Sequence, residues 1–222
     1  MCRHVAYVGV ARSLRDLLIE PPHSLVRQSW EPREQRYGVV NADGFGVGWY
    51  AEGDSTPARY RRDIPIWADE SFADLARVTK STAVLAAVRS ATPGTAAGVD
   101  AAAPFASGAY LFSHNGRIDG WPDELGGLAD KLPTSALVGL VAHTDSALLW
   151  ALVQEALSSG LSPERALGFT VRQTANSTTG RLNLLLHDGK RIYATRFGDT
   201  LYYRRNAYGV VVASEPSDND NG

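Results

Sequence analysis

Met1-Cys2-Arg3-His4 opens the chain, and the reading of these four residues decides what the rest must be. Cys2 is the only cysteine among 222 residues and stands directly behind the initiator methionine. Methionine is trimmed when the next side chain is small, and trimming would leave Cys2 with a thiol and a free α-amine on one residue. A thiolate is a nucleophile, and an α-amine with an ordinary pKa of about 7.7–8.0 is a base poised near working pH. The competing reading is a small apolar residue at the start of a buried strand, a common place for a free cysteine.

Composition narrows the classes. Apolar residues make up 44% and charged residues 21%, with a net charge of −2, so neither nucleic acid nor an anionic membrane is an electrostatically favoured partner. One cysteine excludes an internal disulfide framework, and no Cys/His cluster has zinc spacing. No apolar run spans a bilayer, and the N-terminus has no signal-peptide pattern, which leads to the expectation of a cytoplasmic protein. The length suits one domain over residues 1–222.

Outward from Cys2, His4–Gly9 reads as a short strand and Ser13 as the cap of a helix through Leu18. Residues 23–40 read as a long functional loop with one helical turn. Asn41-Ala42-Asp43-Gly44 reads as a turn into a strand with Phe45, Val47 and Trp49 on one face. Gly46 and Gly48 on the other face would admit a second backbone or a ligand. A dinucleotide loop is excluded because the glycines run into an aromatic strand rather than a helix. Arg59–Arg62 is expected as the partner strand, and 71–81 as an amphipathic helix. Ala83–Val88 is expected as a buried strand delivering Arg89, and Tyr110–Phe112 as a strand ending at Ser113-His114-Asn115-Gly116. A helix starts at Thr144 or Asp145 and another at Ser162-Pro163. Two hairpins, around Asp188-Gly189 and around Asn206 and Gly209, precede a polar end over 217–222, expected as a frayed tail or as a cut just before a few more residues.

Three places outside the N-terminus invite chemistry, each with a plainer alternative. Arg89 ends an apolar strand and would fork onto a carboxylate, or it makes a surface salt bridge. Asn115-Gly116 would supply oxyanion donors, or it is a tight turn. Asp145 would pair with an ammonium, or it caps a helix, with Thr144 able to take that role instead.

Cys2, the stretch Asn41–Trp49, Arg89 with Thr92 and Gly94, His114-Asn115-Gly116, and Asp145-Ser146 together resemble the class II glutamine amidotransferases. These are a branch of the N-terminal nucleophile hydrolases. The motifs fall in that family's order over essentially the whole chain. The resemblance implies an α+β fold, an αββα four-layer sandwich of two antiparallel sheets between helical layers. It implies Cys2 as nucleophile, Asn115 and Gly116 as the oxyanion hole, and Arg89, Thr92, Asp145 and His114 as the substrate pocket. Ser90 and Pro93 stand where many of these enzymes carry Trp or Tyr and then His.

Cys2-Arg3-His4, Pro22–Leu25, Arg27–Trp30 and Ser214-Glu215-Pro216 further resemble the γ-glutamyl hydrolases of ergothioneine biosynthesis. The resemblance implies a γ-glutamyl small-molecule substrate, the sulfoxide of a γ-glutamyl-cysteinyl hercynine conjugate, with a thioester intermediate. It implies no cofactor, no metal and no obligatory synthase partner. His4, Arg27 and Trp30 are the expected leaving-group contacts. A glutaminase subunit feeding ammonia to a separate synthase, and a non-catalytic binding domain of the same fold, are the alternatives.

Overall fold

The computed structural model describes residues 2–125 and 127–218. The expected trimming of Met1, and the part of the expected tail from Asn219 to Gly222, fall outside the described residues. The chain runs β1 (Arg3–Ser13), α1 (Leu14–Leu18), α2 (Leu25–Gln28), β2 (Phe45–Trp49), β3 (Ala58–Arg62), α3 (Phe72–Val78) and β4 (Lys80–Val88). It continues through β5 (Phe105–Ser107), β6 (Tyr110–Ile118), α4 (Thr134–Val138), α5 (Asp145–Ser158) and α6 (Pro163–Ser177). It closes with β7 (Gly180–His187), β8 (Ile192–Thr195), β9 (Tyr202–Asn206) and β10 (Gly209–Ala213).

Among the described residues ten strands form two antiparallel sheets, one ordered β3-β2-β4-β1-β10-β9 and the other β5-β6-β7-β8. Side-chain alternation along each strand sorts the apolar residues into three layers. On β4, Val84, Ala86 and Val88 face α1 and α3 with Leu14, Leu17 and Phe72, while Ala83 and Leu85 turn between the sheets. On β7, Leu182, Leu184 and Leu186 face α5 and α6, while Leu185 joins Ala6 and Leu111 between the sheets. Three apolar layers separate four structural layers, so the αββα expectation is met. No helix among the described residues is long and apolar enough to cross a membrane.

The helices follow local rules. Ser13 accepts from the Asp16 N–H and Asp16 reaches back to the Ser13 N–H, a capping box that starts α1. Thr144 accepts from the Ala147 N–H to start α5. α5 buries Ala147 through Val153 because one flank meets β6 and the other meets α6, and Trp150 stacks on Phe112 with centroids 5.1 Å apart.

Two expectations are corrected here. β6 does not stop at Ser113; it pairs with β7 from Leu111 opposite His187 to Ile118 opposite Gly180. Asn115-Gly116 is therefore strand, not a tight turn, because eight paired positions outweigh the turn preference of the dipeptide. The tail is also tied down at its start: Ser217 O accepts from the His23 N–H at 3.0 Å, and Asp218 pairs with Arg204.

The glycine face of β2 admits protein rather than ligand. A Cβ at Gly46 would lie 2.3 Å from Ala103 O, and one at Gly48 would lie 2.7 Å from the Leu111 side chain. Those two glycines let the second sheet and its leading loop close onto the first.

Candidate active site

β1 runs through the middle of the larger sheet, between β4 and β10, so its first residues are held on both sides. Arg3 pairs with Val88, which sets Cys2 beside the turn after β4, with Sγ 4.0 Å from Ser90 O. Cys2 is half-buried, so the reading of it as a core cysteine does not hold.

The residue behind it is anchored from the other end of the chain. Arg3 and Glu215 are fully buried, with Arg3 Nε 2.9 Å from Glu215 Oε1. Glu215 Oε2 accepts from His23 Nε2 at 2.8 Å and from the Arg33 N–H at 2.7 Å. Burial pushes the Glu215 carboxyl up, but the bonds from His23 and Arg33 and the charge of Arg3 outweigh it and hold the group below the usual range. Ser214 closes the same junction, accepting from the His4 N–H at 3.1 Å while its own N–H donates to His4 O at 3.0 Å. The three sequence stretches around Arg3, His23 and Glu215 thus meet in one buried network that positions Cys2.

A cleft of about 480 Å³, counting its open mouth, brings Cys2 together with Arg89, Thr92, His114, Gly116 and Asp145. Arg89 is almost buried and has no acidic partner among the described residues; its donors go to Asp43 O (3.3 Å), Thr95 Oγ1 (3.1 Å) and Ala96 O (2.7 Å). The surface salt-bridge reading therefore fails. A guanidinium carries five N–H groups, so two are left for a ligand. Asp43 shapes the same wall, since its carboxylate accepts from the Ala91 N–H at 2.8 Å and its N–H donates to Arg89 O at 3.0 Å.

Asp145 is buried, not exposed, and does not cap α5. Its Oδ2 accepts from the Ile118 N–H at 3.0 Å and its Oδ1 from the Ser146 N–H at 2.8 Å, while Thr144 does the capping. The carboxylate sits at the positive end of α5 with a lone pair of Oδ2 unused. His114 ties β6 to α5 and β7: its Nε2–H donates to Arg181 O at 2.9 Å, and Nδ1 lies 3.0 Å from Ser146 Oγ. A carbonyl only accepts, which assigns the ring proton to Nε2. Burial lowers the His114 pKa despite the nearby Asp145 carboxylate, so the ring is neutral at pH 7.

Asn115 lies on the other face of β6. Ala6 and Leu111 share the inter-sheet core, and His4 Nδ1 lies 3.2 Å from Ser113 Oγ. The next residues along those two facing rows are Cys2 and Asn115. Asn115 Nδ2 donates to Ser214 Oγ at 3.3 Å, and its second N–H is uncommitted among the described residues.

The three expected leaving-group contacts are not brought to this cleft. His4 is fully buried between the sheets because alternation on a central strand sends it there. Arg27 and Trp30 lie one turn apart on the outer surface, where α2 packs against β1 and β4. Arg27 pairs with Glu31, and Trp30 meets Trp67 edge-on at 5.7 Å. Thr95, Ser146 and Ser214 also contribute to the site. Ser146 and Ser214 stand in stretches that carry the resemblance without being expected site residues, and Thr95 is marked only by lying in Arg89's loop.

The buried His4 has a consequence for stability. Burial, with smaller contributions from His114 and Arg3, pushes its pKa down from 6.5 to about 3. The unfolded chain therefore takes up this proton first, and stability is intact above pH 6.5 and lost progressively as pH falls toward 3. Between pH 6.5 and 5 the loss from His4 is about 2 kcal/mol. Burial shifts His114 and His187 in the same direction. Thermal melts from pH 7.5 to 5 are expected to show a falling Tm, with a shallower slope in His4→Asn.

The fold and this cleft define an amidohydrolase of the N-terminal nucleophile type, and the chain belongs to the class II glutamine amidotransferase family, whose profile matches residues 21–218. Over its whole length it is 43% identical to the gamma-glutamyl-hercynylcysteine sulfoxide hydrolase of Mycolicibacterium smegmatis, covering 90% of that protein. It is 41% identical to the protein of the same name from Mycobacterium tuberculosis, covering 88% of it. Among solved structures, a glutamine aminotransferase class-II domain protein of Silicibacter pomeroyi superposes with a TM-score of 0.65 at 25% identity, over 97% of this chain and 89% of that one. The glutamine phosphoribosylpyrophosphate amidotransferase of Bacillus subtilis shares the fold, with a TM-score of 0.60 at 15% identity over 96% of this chain and 42% of that one.

Proposed function

We propose that the chain hydrolyses the γ-glutamyl amide bond of γ-glutamyl-hercynylcysteine sulfoxide, releasing glutamate and the cysteinyl conjugate of hercynine in ergothioneine biosynthesis. The observation that carries this reading is the single cleft holding Cys2 between Arg89, Gly116 and Asp145. On this reading one cleft is lined by a thiol, by a guanidinium to receive a carboxylate and by a carboxylate to receive an ammonium. The named mycobacterial relatives, similar over the full chain, support the identity of the leaving group.

After loss of Met1, the α-amine of Cys2 takes the thiol proton and Sγ attacks the γ-carbonyl carbon. Arg89 receives the substrate α-carboxylate with Thr92 beside it, and Asp145 receives the α-ammonium. His114 holds Ser146 and the end of β6 in place and takes no proton. The tetrahedral oxyanion is met by the Gly116 N–H and the free N–H of Asn115 Nδ2, donors worth about a hundred- to a thousandfold each in rate. Collapse expels the amine, which takes the proton back from the Cys2 ammonium and leaves a γ-glutamyl thioester. Water, deprotonated by the Cys2 α-amine, adds to the thioester carbonyl, and collapse frees glutamate and expels the Cys2 thiolate, which regains that proton from the ammonium.

Glutamate release from the hercynine conjugate, compared with release from L-glutamine, tests the assignment. The expected result is a kcat/KM at least about a hundredfold higher for the conjugate, since remote binding energy is used in the transition state. Preference for glutamine would move the chain to the ammonia-supplying alternative, and turnover of neither would leave a binding domain.

A further inference from the structure

A second chamber adjoins the Cys2 cleft and shares Ser90, Thr92 and Gly116 with it. Its own walls are Tyr37, Pro93, Arg117, Asp119 and Arg181. Arg89 and Asp145 line only the first cleft and Gly116 lines both, so a group expelled past Gly116 has this chamber to enter if Arg89 and Asp145 hold the glutamyl end. Counting its open mouth it encloses about 830 Å³, far more than ammonia requires.

The two arginines of this chamber differ. Arg117 is closed off: its Nε and Nη2 donate to Asp119 Oδ1 at 2.9 and 2.7 Å, and Asp119 Oδ2 accepts from Thr179 Oγ1 at 3.1 Å. Arg181 is held from behind and left open in front. Its Nε donates to the buried Asp199 at 3.1 Å, and the ring of Tyr37 covers its guanidinium at 4.7 Å. Among the described residues, neither Nη group has a hydrogen-bond partner. The side chain is only 16% exposed, so its orientation is set before any ligand arrives. Two parallel N–H donors on a pre-set planar cation match a carboxylate.

We infer that this chamber is the leaving-group subsite and that Arg181 receives the α-carboxylate of an amino acid whose amine is the one released from γ-glutamate. The inference rests on the proposed amidohydrolase reading and adds to it a substrate rule. The enzyme selects γ-glutamyl conjugates of α-amino acids over γ-glutamyl amides that lack a carboxylate next to the scissile nitrogen. Tyr37 serves as a positioning residue that keeps the guanidinium plane fixed. Asp119, already engaged by Arg117 and Thr179, does not compete for the fork.

The test is a cycle of two substrates and two proteins. The full-length enzyme and Arg181→Gln are each assayed with an S-alkylated γ-glutamylcysteine and with the matching γ-glutamylcysteamine, which differs only in lacking the carboxylate. A charge-assisted pair of this kind predicts that the unaltered enzyme favours the carboxylated substrate by about ten- to a hundredfold in kcat/KM. In Arg181→Gln that ratio is expected to fall to near one, with part of it kept in Arg181→Lys. Because the ratio is taken within each protein, a loss of folded material scales both rates alike. If the unaltered enzyme cleaves both substrates equally well, or Arg181→Gln keeps the full ratio, the subsite assignment is overturned while the amidohydrolase reading stands. If the unaltered enzyme cleaves neither, nor the hercynine conjugate, both readings fall together.

Discussion

Cys2→Ala is expected to release glutamate from the hercynine conjugate at least about 10⁴-fold more slowly than the unaltered chain, the scale seen when a covalent nucleophile is removed. The residual rate is what the oxyanion donors and substrate binding supply without a thioester. The same variant should melt within about 0.5 kcal/mol of the unaltered protein. Cys2 is half-buried at the cleft, its side chain's one hydrogen bond among the described residues is the long Sγ approach to Ser90 O at 4.0 Å, and it belongs to none of the three apolar layers. Arg89→Ala is predicted to differ in kind. Arg89 also holds the loop at Thr95 and Ala96, so its loss raises KM through the missing carboxylate contact and lowers kcat through a slack wall. A coupled glutamate assay separates the two variants by where their defects fall.

Gly116→Ala carries the second large effect, on folding as much as on chemistry. Gly116 has φ +153°, and a Cβ built there would lie 1.8 Å from Arg181 O on the neighbouring strand and 2.7 Å from His114 Nε2. Neither neighbour is a flexible side-chain end: the carbonyl belongs to β7, and the imidazole is fixed between Arg181 O and Ser146 Oγ. Backbone must move, and the pairing of β6 with β7 must open where the oxyanion donors sit. A destabilisation on the order of 4 kcal/mol or more is expected, at the upper end for single substitutions. Denaturant unfolding measures it. A Gly116→Ala protein that melts like the unaltered one would mean that this close strand approach does not exist in solution.

How much of this was legible in the sequence depends on whether the signal is local. The caps at Ser13 and Thr144, the helix start at Ser162-Pro163, the Asp188-Gly189 hairpin and the apolar run of β4 are written within a few residues of where they act, and they read true, although the Ser162 side chain itself makes no capping bond. Cys2, Arg89, Gly116 and Asp145 were readable as a set because the motifs that carry them fall in one family's order along the chain. The continuation of β6 was not readable. Ser113-His114-Asn115-Gly116 is a polar, turn-forming run, and only pairing with β7, some seventy residues later in the chain, makes it a strand. The polar row His4, Ser113, Asn115 and Ser214 fills one end of the inter-sheet space, which propensity alone cannot foresee. Arg27 and Trp30 were expected at the site only from the resemblance, and they form a surface cation–aromatic pair instead, with Arg27 Cζ 5.8 Å from the Trp30 ring. A second cation–aromatic pair, Arg181 and Tyr37, lines the chamber beside the cleft. They are brought together by strand order and loop path, and no local pattern marks them.

The central claim is that Cys2 becomes an N-terminal thiol acting in a glutamyl-specific cleft. Intact-mass measurement tests it most directly, on the purified chain before and after treatment with a γ-glutamyl chloromethyl ketone. The account predicts a protein lacking Met1 that gains one adduct, mapped to Cys2, with the adduct suppressed in Arg89→Ala and by competing γ-glutamyl substrate. A protein that keeps Met1 and gains no adduct, or one whose adduct forms equally fast without Arg89, would contradict it.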